Sequence, residues 1–115
     1  MSRHDDRITL RQMADHAQRV MRVAEGKSAE EIAADQDLLA PAVIRTLEVI
    51  GEAASRVSPD GRVRFSDIPW RDIIDLRNRL IQGYDVIDYD FVCQIIDDDL
   101  PPLVESIEKI LSDPS

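Results

Sequence analysis

Apolar residues recur every three or four positions along most of the chain, and nowhere does a sustained two-residue alternation take over. Between Asp6 and Gly26, the positions Ile8, Met13, Ala17, Val20, Met21 and Ala24 predict an amphipathic helix that Gly26 stops. Ser28–Glu31 has the Ser-x-x-Glu form in which a serine and a glutamate cap each other's backbone, so a short helix opens there and runs through Ala33. Leu39, Val43, Leu47, Ile50, Ala54 and Val57 then form a long helical stripe, with Pro41 tolerated near its first turn. Residues 58–62, Ser-Pro-Asp-Gly-Arg, read as a turn. Asp67 and Pro69 are start signals for a further helix that runs through Leu76 and Leu80 to Gly83. A last helix begins at Asp88 or Tyr89, and Pro101 and Pro102 must kink or split it. The sum is an all-α, up-and-down bundle of four main helices plus short ones, occupying residues 1–115 as one domain.

Composition agrees with that class: 43% of residues are apolar and 32% charged, enough for a packed core without disulfides or metal. Cys93 is the only cysteine, which leaves no intrachain disulfide and no cysteine zinc site. No apolar run approaches the ~20 residues of a membrane span, and the N-terminus lacks a signal-peptide segment, so the expectation is a cytoplasmic protein with no membrane contact. A net charge of −9 argues against a nucleic-acid binder, but the charge is unevenly spread. Residues 61–82 hold five basic and three acidic groups, whereas residues 83–115 hold one and nine. A local basic face can hold a phosphate backbone on an acidic protein.

Within that basic segment, Arg77–Tyr84 (Arg-Asn-Arg-Leu-Ile-Gln-Gly-Tyr) breaks its own pattern. On a helix with Arg77 at 0°, Leu76, Leu80 and Ile73 fall at about 260°, 300° and 320°, and Ile81 and Ile74 at about 40° and 60°. Arg77 and Tyr84 then lie inside the apolar arc, with Asn78 and Gln82 at its border. A buried guanidinium needs a carboxylate, a phosphate or a wet cleft. Two arrangements satisfy it: Arg77 pairs with a core carboxylate, or its face lines a cleft that binds phosphate.

Other candidate groups have plainer readings. His4 and His16, the only histidines, read as exposed or satisfied side chains. Asp97–Asp99 read as a solvated cap for the following helix. Glu48 and Glu52 have helical spacing for half of a di-metal site, but such sites need Glu-x-x-His partners that this chain lacks. Gly51 costs a helix about 1 kcal/mol relative to alanine, and a close helix–helix approach explains it.

The stretch from Ile68 to Val92 resembles the C-terminal half of HEPN-domain toxins of the HepT type. Those proteins carry an arginine, a polar residue after it, a histidine a few positions on and a tyrosine two residues later. The likeness extends upstream through the Gly51-Glu-Ala of the long helix and downstream through Asp99-Leu-Pro-Pro-Leu. The resemblance implies a homodimeric bundle whose two motifs share a cleft and cut RNA without metal or cofactor. It also implies a nucleotidyltransferase antitoxin that silences the toxin by adenylylating the motif tyrosine. Carried over, Arg77, Asn78 and the histidine position are catalytic, Tyr84 is the modified residue, and Arg71 and Arg79 are candidate RNA-binding residues. The histidine position is held by Gln82, a departure. Glutamine does not titrate near neutral pH and can only exchange hydrogen bonds. The expectation is therefore a HepT-like ribonuclease with reduced or absent turnover. The alternative is a non-catalytic HEPN module that binds RNA or nucleotide and the nucleotidyltransferase.

Overall fold

The computed structural model describes residues 5–83 and 86–113, and Gln82 by its backbone alone. His4 and Tyr84 therefore lie outside the described residues. The architecture is an all-α bundle with one minute hairpin. Helix α1 (Asp6–Val23) buries Leu10, Met13, Ala14, Ala17 and Val20. Its main neighbours are α3 (Leu39–Ser55) and α8 (Leu100–Ser112). These contribute Val43, Leu47 and Ile50, and Leu100, Leu103 and Ile107, to the same core. Ile8 was expected on the α1 stripe but is 59% exposed, and Leu10 takes its place in the core. Gly26, at φ 74°, makes the left-handed stop expected of it. Helix α2 (Ala29–Ala34) carries the full capping box, with Ser28 Oγ accepting from Glu31 N–H at 3.1 Å and Glu31 Oε1 from Ser28 N–H at 3.2 Å.

Two expectations between α3 and the hairpin are corrected. Residues 58–62 are not a simple turn: they open a helix, α4 (Pro59–Arg64), capped by Ser58. That cap is braced from far away, since Asp6 accepts from Ser58 N–H at 3.0 Å and from Ser58 Oγ at 2.6 Å. Turn composition and a serine–proline helix start look alike locally, and the carboxylate of α1 decides between them. Nor does one helix run from Pro69 to Gly83, and Asp67 does not cap it. Helix α5 (Trp70–Ile74) follows Pro69 with no side-chain cap, Asp75 interrupts at ψ 10°, and α6 (Leu76–Leu80) ends after five residues. Ile81 turns extended, and β1 (Ile81–Gln82) pairs antiparallel with β2 (Val86–Ile87).

Asp88 starts the last segment, accepting from Phe91 N–H at 3.1 Å. Helix α7 (Tyr89–Gln94) passes through a π-helical turn (Ile95–Asp99) directly into α8, which has proline at its first turn. The prolines thus do not split the rod, and the wide π-helical turn stands directly before them. Asp97–Asp99 are all exposed, and Asp99 stands at the head of α8 without a side-chain cap bond, so the acidic run is solvated at that helix start. Arg7 closes the far end, donating from Nη2 to the Leu111 carbonyl at 2.8 Å.

Candidate functional site

Gly51 positions the site. A Cβ there would lie 2.8 Å from the Ile73 carbonyl oxygen and 3.6 Å from Leu76 Cβ, so α5 and the start of α6 press onto the backbone of α3. The close approach read into this glycine is what it provides. It brings α6 beside the outer face of α3 and leaves an open groove of about 310 Å³ between them. Glu48, Glu52 and Ser55 line one wall; Ile74, Arg77 and Asn78 line the other.

Arg77 is neither buried nor tightly paired. Its side chain is 77% exposed, and Nε sits 3.8 Å from Glu48 Oε2. The helical wheel put it inside an apolar arc; the break at Asp75 and the end at Leu80 dissolve that arc. Ile73, Leu76 and Leu80 face the core, Ile74 and Ile81 are only half-buried, and Arg77 emerges between the two sets. Asn78 is exposed next to it and donates from Nδ2 to Asp75 Oδ1 at 2.7 Å. Across the groove Arg45 joins the same charges, 3.2 Å from Glu52 Oε1 and 3.9 Å from Glu48 Oε1. Both glutamates weighed as metal ligands thus face arginines.

Arg71 and Arg79 do not line this groove. Arg79, two residues from Arg77 and so about 200° around the helix, donates to the Asp72 carbonyl at 3.1 Å and lies 5.1 Å above the Phe91 ring. It fastens α6 to α7. Arg71 is exposed on α5. Gln82 enters only through its backbone, paired with Val86 in the hairpin. Sequence reasoning missed Glu48 as the counter-ion of Arg77. The available signal was its place one turn before Gly51, the residue that draws α6 in.

The arrangement offers one exposed guanidinium and one amide at the edge of a groove, with carboxylates opposite. That can bind and orient an anionic group that displaces Glu48. Among the described residues no helix is long and apolar enough to cross a membrane.

A family model described as ribonuclease HepT-like matches residues 13–110. A Methanocaldococcus jannaschii protein named "Putative RNase" is 41% identical over 69 residues, covering 60% of this chain and 63% of that protein. A second bearing that name, from Caldanaerobacter subterraneus subsp. tengcongensis, is 33% identical over 86 residues, 75% of this chain and 76% of its own length. One named "Probable ribonuclease HepT", from Thermococcus cleftensis, is 36% identical over 69 residues, 60% of this chain and 63% of its own length. The chain spans between 50% and 63% of the length of the first curated relatives it matches. No solved structure matches.

Proposed function

The chain belongs to the HepT-like ribonuclease family, and from that premise we propose that it is the RNA-directed toxin of a toxin–antitoxin pair, acting as a metal-independent endonuclease of low turnover. The observation that carries this reading is Arg77, exposed at the rim of a groove and held by a carboxylate no nearer than 3.8 Å. An ion pair that exposed contributes only about 0–1 kcal/mol, so an RNA phosphate can take the place of Glu48 on the guanidinium. Arginine presents a planar fork of donors that matches phosphate, and Asn78 adds an amide donor beside it.

In this reading two copies of the chain join so that both Arg77 side chains serve one cleft. The 2′-hydroxyl of a ribose attacks the adjacent phosphate, a new oxygen–phosphorus bond forms, and the 5′-oxygen of the next nucleotide leaves. Arg77 stabilises the charge that develops on the phosphate oxygens. Gln82 cannot titrate, so the 2′-hydroxyl proton passes to water and water supplies one to the departing 5′-oxygen. Losing general-base help typically costs about 10²–10⁴-fold, which is the source of the low turnover. A nucleotidyltransferase antitoxin silences the toxin by forming a bond between the Tyr84 oxygen and the α-phosphate of ATP, with loss of pyrophosphate.

Gln82 also favours a second reading, in which the module binds RNA and its nucleotidyltransferase partner without cutting. Cleavage of an end-labelled RNA by the chain, by Gln82→His and by Gln82→His/Arg77→Ala separates the two. Endonuclease function predicts a gain from the histidine that the second substitution abolishes. RNA binding with no gain assigns the non-catalytic role.

A further inference from the structure

Glu48 stands between two arginines and bonds fully to neither. Its Oε2 is 3.8 Å from Arg77 Nε, and its Oε1 is 3.9 Å from Arg45 Nη1. Both separations exceed a hydrogen bond. The tighter contact of the group is between Arg45 and Glu52, at 3.2 Å. Helical spacing sets this order. Counted around α3 from Arg45, Glu52 falls about 20° away, Glu48 about 60° to the same side, and Gly51 about 60° beyond Glu48. Glu48 thus occupies the step between the arginine of its own helix and the seam where Gly51 admits α5 and α6.

The two pairings of Glu48 are nearly equal, so little separates them. A shift of about 1 Å toward either guanidinium makes a charge-assisted hydrogen bond of ordinary length. Both arginines are well over half exposed, whereas Glu48 is mostly covered. A phosphate arriving at Arg77 upsets the balance. It takes the donors of that arginine and sets its own negative charge beside a carboxylate that water reaches poorly, where like charges repel most. Arg45 waits on the opposite side of that carboxylate. Its guanidinium has five N–H donors, enough to keep Glu52 and receive Glu48 as well.

We propose that Arg45 is a positioning residue for RNA: when a phosphate takes Arg77, Glu48 turns to Arg45, which holds it away from the substrate. Glu48 is then a two-position carboxylate, screening Arg77 in the free chain and withdrawn from it in the complex. The inference rests on the reading that Arg77 receives an RNA phosphate. Arg45 itself touches no RNA; it acts through Glu48.

Anisotropy titrations of a fluorescent single-stranded RNA test this with a double-mutant cycle. Arg45→Ala should weaken binding about two- to fivefold, the range of one exposed ion pair. Arg45→Lys keeps the charge and should bind like the parent. In Glu48→Gln there is no carboxylate to withdraw, so adding Arg45→Ala should bring no further loss. The dependence of log affinity on log salt should keep its slope in Arg45→Ala, because no phosphate contact goes with it. Melting temperatures should stay close to the parent's, since the pairs removed are exposed. A loss that persists in the Glu48→Gln background overturns the proposal; with a slope flatter by about 0.7 it makes Arg45 a phosphate contact instead. Arg45→Ala binding like the parent while Arg77→Ala binds weakly also overturns it, and leaves the assignment of Arg77 standing. Arg77→Ala binding like the parent overturns both.

Discussion

Arg77 Nε and Glu48 Oε2 lie 3.8 Å apart, beyond hydrogen-bond range, with side chains 77% and 25% exposed. Glu48 neutralises the arginine loosely, so it is a competitor for any phosphate that arrives. Glu48→Gln should tighten binding of a fluorescent single-stranded RNA. Arg77→Ala should weaken it and flatten the plot of log affinity against log salt by about 0.7 for each phosphate no longer neutralised. Anisotropy titrations between roughly 50 and 200 mM salt read both. An unchanged slope in Arg77→Ala would remove Arg77 from the RNA interface.

Restoring a titratable base at position 82 should leave a mark on the pH profile. In Gln82→His the cleavage rate should gain about 10²–10⁴-fold and climb through pH ~6.5, where an ordinary histidine loses its proton. The parent chain lacks that group and should show no such inflection. A flat profile in Gln82→His would mean that the imidazole does not reach the 2′-hydroxyl.

Gly51→Ala pits two local effects against each other. Alanine favours the helix by about 1 kcal/mol, but its Cβ would meet the Ile73 carbonyl at 2.8 Å. Backbone cannot swing aside as a side chain can, and overpacking typically costs about 1–3 kcal/mol. The variant should therefore be destabilised by up to about 2 kcal/mol in urea denaturation. It should also bind RNA more weakly than its stability loss explains, because α6 is displaced with α5.

Cys93 supplies a stability test against pH. Partial burial, and then the negative charges of Asp97, Asp90 and Glu30, push its thiol above the ordinary 9.0. The folded state thus holds this proton more tightly than the unfolded state does. Its contribution is complete below about pH 9 and is lost as pH rises through the folded value. The urea midpoint should fall above about pH 9, and Cys93→Ala should reduce that fall. At neutral pH the thiol of the folded chain should alkylate more slowly than after unfolding.

Caps and stripes set by neighbours along the chain were legible in the sequence alone: the Ser28 capping box, the stop at Gly26 and the start at Asp88 all stand. What escaped was decided by residues far off. Ser58 begins a helix because Asp6 supports its cap from 52 positions away. The helix expected to run to Gly83 breaks at Asp75, where α3 presses on it at Gly51. The site divides in the same way. Arg77 and Asn78 share the groove as adjacent helical residues should, and Arg79 leaves it by simple rotation. Glu48 belongs to another helix, and no periodicity within residues 70–83 could name it.

The π-helical turn at Ile95–Asp99 has a consequence in phase. On an uninterrupted helix, Val92, Ile95 and Ile96 would centre about 75° away from Leu100, Leu103, Val104 and Ile107. One surplus residue taken up by the wide turn cancels roughly 100° of rotation, and both groups come to lie in the same core. Seen this way, the acidic run is one residue longer than the bundle requires. A chain lacking one of Asp97, Asp98 or Asp99 could run as plain α-helix from Tyr89 to Ser112 with the same two faces still turned inward.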